Sequence, residues 1–240
     1  MDRRRFLRAG IISAGGAAAL PTISTVAGAQ PAGTSPYGSL DGVDPDDNGV
    51  VLPAGFTSRV VAVAGEPVGD TDHEWHLFPD GAATFDDGDG GWYHTVNSEV
   101  FIEGQGGVSA VHYDADGEIV DAYPVLAGTI ANCAGGPTPW GTWLSCEEDF
   151  ASDRGQVYEC DPTGATEAVP RPAMGFWAHE AVAVDPEGQQ LYLTEDQPDG
   201  RLYRFTPAAY PDLAEGLLEV ALVAGDGSVS WAEVPDPSAT

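Results

Sequence analysis

Short runs that alternate hydrophobic with polar residues recur along the chain, and helical periodicity is almost absent. Such runs, rich in β-branched and aromatic residues, are typical of β-strands. Turn sequences of the form Asp-x-x-Gly separate them at 114–117, 161–164 and 185–188. We therefore predict an all-β protein with strands at Ser58–Ala64, Trp92–Val100, Val108–Tyr113, Glu118–Val125, Thr142–Cys146, Gln156–Cys160, Glu180–Val184, Gln190–Thr194, Arg201–Phe205 and Leu218–Val223.

The strand and turn pattern repeats weakly. A strand runs into an Asp-x-x-Gly turn and another strand follows at Val111–Ile119, Val157–Gly164 and Val182–Tyr192. Blades of a β-propeller have this pattern and take about 40 to 50 residues each. The pattern predicts a β-propeller with about four blades' worth of chain, and a β-sandwich is the alternative. Since most propellers have more blades, we expect the 240 residues to be the first part of a longer protein.

The N-terminus has the form of an export signal. Arg3 to Arg8 contain adjacent arginines followed by Phe-Leu and a further basic residue, the twin-arginine pattern. A weakly apolar stretch, Ala9–Leu20, precedes Ala27–Ala29, which resembles a cleavage site. We predict a signal peptide at 1–29 that engages the twin-arginine export machinery, a lead-in segment at 30–54 and the propeller at 55–240. The mature protein is then extracellular, periplasmic or at the cell surface.

The composition is strongly acidic. The chain has 38 Asp and Glu against nine basic residues, all Arg, and a formal net charge of −29. This charge repels nucleic acids and anionic membrane surfaces, so neither is expected as a partner. The absence of Lys indicates a halophilic source, with an acidic secreted protein as the alternative. No apolar run is long enough to span a membrane.

Polar and acidic residues stand where predicted strands end, at 97–99, 146–149, 179–180 and 195–196, with a fifth candidate at 132–136. Strand ends of a propeller surround its central channel, where carboxylates repel one another unless cations neutralise them. Oxygen ligands suit Ca²⁺ or Mg²⁺, and a thiolate brings in a transition metal. Each segment also has a plain structural interpretation: a solvated acidic turn, a turn cap or, around residue 179, a buried and paired histidine.

Three cysteines leave at least one thiol unpaired in an oxidising compartment. Cys146 and Cys160 lie on adjacent predicted strands and have the option of a disulfide, which leaves Cys133 free, but the pairing stays open. His73 and His76 share a loop that is a weak metal site or, more simply, a surface loop. The sequence has no nucleophile elbow, no phosphate-binding glycine loop and no zinc-type histidine pair.

Four stretches resemble the PhoX family of exported alkaline phosphatases. The most specific is Asn132–Glu148, which reads NCAGGPTPWGTWLSCEE, and the others are His94–Glu99, Met174–Ala181 and Leu191–Asp196. The resemblance extends over about 55–207 and agrees with the twin-arginine pattern. It implies a six-bladed propeller that hydrolyses small phosphate monoesters at a site of ferric ions (Fe³⁺) and Ca²⁺.

The resemblance also implies roles for individual residues. Cys133 is the iron-binding thiolate, and Cys133, Glu148 and Glu180 form the catalytic set. The remaining metal ligands are Glu99, Glu195 and Asp196, and the substrate-binding residues are Asn97 and Arg154. A metal-bound oxygen is expected to attack phosphorus while the cations absorb negative charge.

The chain also departs from the family. Family members are about twice as long and supply further Arg and Glu site residues from a later segment, and no Lys is present here to hold phosphate. Two other functions therefore stay open: a non-catalytic, Ca²⁺-stabilised exported propeller that binds a protein or glycan, and a Ca²⁺-dependent, lactonase-like propeller hydrolase. The thiolate of Cys133 separates the phosphatase from both, since Ca²⁺ sites do not use thiolates.

Overall fold

In a computed structural model of the chain, residues 35–151 and 154–237 are described. They belong to two compact units, and the boundary along the chain falls between Arg59 and Val60. The predicted twin-arginine signal peptide lies outside the described residues. Within the described part, no helix is long and apolar enough to cross a membrane.

The first unit, described from residue 35 to 59, consists of turns and extended segments. Tyr37 packs edge-on against Phe56, with the ring centroids 5.4 Å apart. The carboxylate of Asp46 accepts hydrogen bonds from the backbone N–H groups of Asn48 and Val50 and from the Ser58 hydroxyl. These bonds lower the pKa of Asp46, because they favour its ionised form.

The second unit begins with a four-stranded antiparallel sheet whose strands follow one another in chain order. These strands are β1 (Pro79–Asp86), β2 (Trp92–Ser98), β3 (Gly106–Tyr113) and β4 (Ile119–Thr129). Tight turns join them, including the predicted Asp-x-x-Gly turn at 114–117, where the Asp114 side chain accepts hydrogen bonds from two backbone N–H groups.

The second and third sheets repeat this meander. The second sheet contains β5 (Asn132–Pro137), β6 (Trp143–Glu147), β7 (Val157–Cys160) and the short β8 (Val169–Pro170). The third contains β9 (His179–Asp185), β10 (Gln190–Glu195), β11 (Leu202–Ala209), β12 (Asp212–Val223) and β13 (Val229–Glu233). A single 3-10 turn at Pro172–Met174 is the only helical segment among the described residues.

The all-β prediction is confirmed, and successive antiparallel meanders are compatible with propeller blades. The described residues form three sheets where the sequence indicates about four blades. One reason is that the predicted strand Ser58–Ala64 is wrong: within the described part of the chain these residues form no strand. Strands β1, β5, β8 and β13 were not predicted from the sequence, and β12 begins six residues earlier than expected.

The first strands of the three sheets pack side by side, with β5 between β1 and β9. Glycines make this approach close. A Cβ on Gly81 would lie 2.6 Å from the Cα of Ala134, and a Cβ on Gly136 would lie 1.9 Å from the carbonyl oxygen of Val182. Neither contact tolerates a side chain, so the small residues of β5 determine how near the neighbouring sheets come.

Apolar side chains fill the spaces between and beside the sheets. The largest cluster joins the second and third sheets and includes Leu144, Met174, Leu191 and Phe205, which are all fully buried. Burying an aliphatic or aromatic side chain of this size contributes about 1.5–3 kcal/mol. This packing holds β6 and β9, which carry site residues, in a fixed relation.

Candidate metal centre

One edge of the three sheets carries the site. Strands β2, β6 and β10 end there, and β5 and β9 begin there, as the antiparallel pairs Asn132 with Glu147 and His179 with Glu195 show. Strand ends at a common edge bring together residues that are far apart in sequence. The predicted acidic segments 97–99, 146–149, 179–180 and 195–196 all lie along this edge.

Backbone hydrogen bonds connect the sheets along the same edge. The N–H of Ala131 donates to the carbonyl of Val100, and the N–H of Glu148 donates to the carbonyl of Ala131, at 2.9 and 2.8 Å. Glu148 also pairs with Ala178, whose carbonyl accepts from the N–H of Asp196 at 3.0 Å. This backbone belt (Val100, Ala131, Glu148, Ala178, Asp196) crosses all three sheets and fixes the positions of the acidic segments.

Cys133 belongs to two groups of potential metal ligands among the described residues. Its Sγ lies within 4.8 Å of carboxylate oxygens of Glu148 and Glu180 in one group, and of Asp80 and Glu99 in the other. The Cys133 thiol donates a hydrogen bond to Oε2 of Glu180 at 3.4 Å. The structure therefore brings together Cys133, Glu148, Glu180 and Glu99, all four of which the resemblance implies as ligands.

The crowding of acidic groups raises the pKa values of the central residues. Glu148 is 5% exposed, and burial raises its pKa to about 8, with further contributions from Asp196, Glu99 and Glu180. Burial, and then the charges of Glu180 and Asp80, raise the pKa of the Cys133 thiol well above its usual range. Both groups need a nearby cation to ionise at neutral pH, so the donor set fits a metal ion. The thiolate suits a transition metal, and the carboxylates suit a hard cation such as Ca²⁺.

Asn97 positions the β5 strand that carries Cys133. Its Nδ2 donates to the carbonyl oxygens of Cys133 and Ala134 at 3.1 and 2.7 Å. Its Oδ1 accepts from Trp143 Nε1 and Ser145 Oγ, both at 2.9 Å. The amide thus makes four hydrogen bonds within the protein, which is its full capacity. The structure gives Asn97 a positioning role, and its expected contact with substrate stays a prediction.

A buried polar network continues from Asn97 beneath the site. Ser145 accepts a hydrogen bond from Asn132 Nδ2 at 3.0 Å, and Asn132 Oδ1 accepts one from Thr129 at 2.5 Å. These side chains join β4, β5 and β6, so the start of β5 is held by several elements at once. Fully satisfied networks of this kind make a buried site rigid.

Glu195 and Asp196 are adjacent in sequence but occupy different surroundings. The Asp196 side chain contacts Glu148 and raises its pKa, so it adjoins the ligand group. The Glu195 carboxylate instead accepts hydrogen bonds from the Tyr203 hydroxyl at 3.2 Å and the Arg201 N–H at 3.1 Å. Glu195 lies in neither ligand group of the described residues, and its expected metal contact stays a prediction.

Arg154 stands beside the site rather than within the ligand groups. It forms ion pairs with Glu103 at 2.9 Å and Asp149 at 3.3 Å. These residues line a cavity of about 190 Å³ that also includes Glu147. Both Glu147 oxygens accept backbone N–H groups, from Ile130 and Gln156, so this carboxylate has a structural role.

Three histidines make contacts within the protein. His179 is fully buried, its Nε2 lies 3.2 Å from the carbonyl oxygen of Gly175, and burial lowers its pKa to about 3. His73 and His76 lie in a loop, as predicted, and their ring nitrogens are 3.0 and 2.8 Å from Ser109 Oγ. His179 is therefore a buried histidine, as one interpretation of residue 179 predicted. The adjacent Glu180 belongs to a ligand group.

No disulfide joins Cys146 and Cys160, whose pairing the sequence left open: all three cysteines are free and buried. The β6–β7 register explains this, since Cys146 pairs with Val157 and Cys160 pairs with Trp143. The two thiols are therefore three residues apart along the ladder, or about 10 Å, which is too far for a bond.

Sequence reasoning missed Asp80. Its neighbours Pro79 and Gly81 are residue types that are rare inside strands, yet the segment forms the start of β1. Gly81 lets β1 lie against Cys133 and Ala134, and this contact brings the Asp80 carboxylate into the second ligand group. In the sequence, only Gly81 indicates that another backbone lies close to this segment, and nothing identifies that backbone as the one at Cys133 and Ala134.

Antiparallel sheets that gather a thiol and several carboxylates at one edge define an all-β protein with a candidate metal centre. Residues 95–240 match the family described as Alkaline phosphatase PhoX. The match covers more than half of the chain, so the chain belongs to this family, as its motifs indicated. The family consists of metal-dependent, exported phosphatases of the alkaline phosphatase type. A search of curated proteins finds no match.

Proposed function

We propose that this protein hydrolyses extracellular phosphate monoesters at a mixed iron and calcium centre built around Cys133. One observation carries the proposal: a single buried thiol is shared by two groups of carboxylates. A Ca²⁺ site has no use for a thiolate, so this arrangement favours the phosphatase over a purely structural calcium propeller or a lactonase-like hydrolase.

The donor groups suggest which residues hold which metal. Cys133, Glu148 and Glu180 offer a mixed sulfur and oxygen set, which fits iron. Asp80 and Glu99 add oxygen donors on the other side of Cys133, which fits calcium. When bound, these cations supply Lewis-acid stabilisation of the negative charge that develops on the phosphoryl group.

The chain's own residues prepare the site. Glu148 must lose the proton that burial and its acidic neighbours favour, and the Cys133 thiol must lose the proton that it donates to Glu180. Asn97 fixes the backbone on both sides of that thiol. Carboxylates at this density repel a phosphate dianion, so substrate binding depends on metal loading. Arg154, at the side of the site, is proposed to attract the phosphate.

Metal content and turnover test the proposal together. The protein is purified at high salt, because its charge predicts a halophilic source, and iron and calcium are counted by elemental mass spectrometry. Hydrolysis of 4-nitrophenyl phosphate is then measured before and after chelation. We expect both metals, with activity lost on chelation and regained on reloading. Calcium without iron, or a fully loaded protein without turnover, would overturn the proposal.

Three further proposals follow from the family and the motifs. Residues 1–29 direct export by the twin-arginine route, which carries folded proteins. The sheets are blades of a six-bladed propeller. The mature protein acts outside the cytoplasm on small phosphate esters.

A further inference from the structure

Two exposed phenyl rings stand beside the ligand groups. Phe101 follows the ligand Glu99 by two residues in the β2–β3 loop, and Phe150 follows Glu148 by two residues in the β6–β7 loop. Their rings stack at a centroid distance of 6.3 Å with an interplanar angle of 15°. Phe101 is 54% exposed and Phe150 is 53% exposed.

A second contact joins the two loops. The ion pair between Arg154 and Glu103 joins the same loops at 2.9 Å. Ile102, between Phe101 and Glu103, is also 55% exposed. We call Phe101, Ile102 and Phe150 the apolar rim. Its side chains face water although the surrounding edge is dominated by carboxylates, so a role in the folded core does not account for them.

The position of the rim points to one occupant. When a phosphate monoester binds with its phosphoryl group among the metal donors, its leaving group lies outside the ligand groups. The two rings, each two residues after a candidate ligand, are placed to contact it. An anionic leaving group is repelled by the carboxylates of this edge. A neutral aromatic leaving group is not repelled, and it gains stacking and apolar contact on the phenyl rings.

We propose that the apolar rim binds the leaving group of the substrate and gives the enzyme a preference for aryl phosphate monoesters. This inference rests on the proposed phosphatase function. In the reaction, the P–O bond to the aryloxide breaks and a P–O bond to a water oxygen forms. The aryloxide leaves with the bonding electron pair and takes up the proton that the water loses, so the products are a phenol and phosphate.

Steady-state kinetics of the metal-loaded protein test the preference. The substrates are 4-nitrophenyl phosphate and glycerol 2-phosphate, and the variants are Phe101→Ala, Phe150→Ala and both together. We expect kcat/KM for the aryl ester to fall about tenfold in the double variant, mainly through KM, while glycerol 2-phosphate changes less than about twofold. Val120→Ala, which shortens an equally exposed side chain on the sheet-edge strand β4, is the matched control. Equal losses on both substrates would overturn the inference.

A binding measurement separates this inference from the phosphatase proposal. Phenylphosphonate and methylphosphonate are titrated calorimetrically into the metal-loaded wild type and double variant. We expect the wild type to bind phenylphosphonate about tenfold more tightly, and the double variant to bind both ligands alike. Equal affinities in the wild type would refute the rim's role. Absence of turnover with a preserved phenyl preference would instead refute only the catalytic proposal.

Discussion

The Sγ of Cys133 lies 3.4 Å from Oε2 of Glu180, so the first strands of the second and third sheets meet through a thiol and a carboxylate. Cys133→Ser keeps a small polar side chain but removes the soft donor. We expect bound iron to fall at least about tenfold while calcium is retained, because carboxylates still hold a hard cation. Elemental mass spectrometry of the purified variant measures both metals.

Cys160→Ser is the matched control for that experiment. Cys160 is another fully buried free thiol, on β7, and it belongs to neither ligand group of the described residues. This control is expected to keep wild-type iron content. If Cys133→Ser also keeps its iron and full phosphatase activity, the thiolate has no part in the site.

Glu148 predicts how the stability of the metal-free protein depends on pH. The pKa of Glu148 is raised from 4.5 to about 8 in the folded state. The folded protein therefore holds this proton more tightly than the unfolded chain. Its free energy of unfolding should fall as the pH rises from 4.5 through 8, by at most about 5 kcal/mol. Urea unfolding of chelated protein at constant ionic strength measures this dependence.

Added metal should restore the free energy of unfolding that is lost when Glu148 ionises. A cation replaces the proton, so its stabilising effect should grow over the same pH range. Glu148→Gln carries no titrating group and should flatten the dependence. Glu167→Gln, at an exposed position of the β7–β8 loop, should leave it unchanged. An unaltered pH slope in Glu148→Gln would assign the effect to other carboxylates.

Asn97 provides a test that distinguishes positioning from substrate contact. Asn97→Ala removes the hydrogen bonds that Asn97 makes to the indole N–H of Trp143 and to two β5 carbonyl oxygens in a buried region. We expect a loss of about 2–4 kcal/mol in the free energy of unfolding, together with weaker metal binding. The control Asn48→Ala removes an exposed amide of the first unit and should cost much less. A raised KM at unchanged stability and metal content would instead support substrate binding.

His76 predicts a separate loss of stability in acid. Burial lowers its pKa from 6.5 to about 4, so the unfolded chain takes up this proton first. The stabilising contribution of the neutral ring is complete above pH 6.5 and should be lost as the pH falls towards 4, by at most about 3 kcal/mol. His76→Gln, which can still bond to Ser109, should remove this loss. Chemical unfolding of the wild type and of His76→Gln across that pH range measures this effect. The same loss of stability in both proteins would contradict the prediction.

The sequence allowed most strands to be predicted because their β-branched and aromatic residues alternate locally. Trp92–Val100 and Val108–Tyr113 correspond to β2 and β3 with small shifts of their ends. The sequence does not predict strand β5, since Cys133 to Gly136 are small residues with little β-propensity. Its conformation depends on tertiary contacts, namely the pairing with β6 and the close approach of β1 and β9.

Some of the candidate ligands are likewise predictable from local sequence, and one is not. Sequence motifs predict four of the candidate ligands, because acidic residues at strand ends and the family resemblance indicate Cys133, Glu99, Glu148 and Glu180. Asp80 was not, since its place beside Cys133 depends on how two sheets pack. Adjacent residues also contact different partners: Asp196 contacts Glu148, and Glu195 accepts hydrogen bonds from Tyr203 and Arg201. The alternation of side chains along a strand predicts that the two lie on opposite sides, but not which of them faces the ligand groups.

The belt of backbone hydrogen bonds through Val100, Ala131, Glu148, Ala178 and Asp196 has a consequence for how the protein matures. The candidate ligands come from three separate sheets, and no single sheet supplies a complete set. A metal ion therefore finds its full coordination only after the sheets have docked, which puts metal acquisition at the end of folding. A cell that makes this protein must therefore offer the metals to a chain whose sheets have already docked. Under the proposed export of the folded chain by the twin-arginine route, the compartment of synthesis already meets this condition.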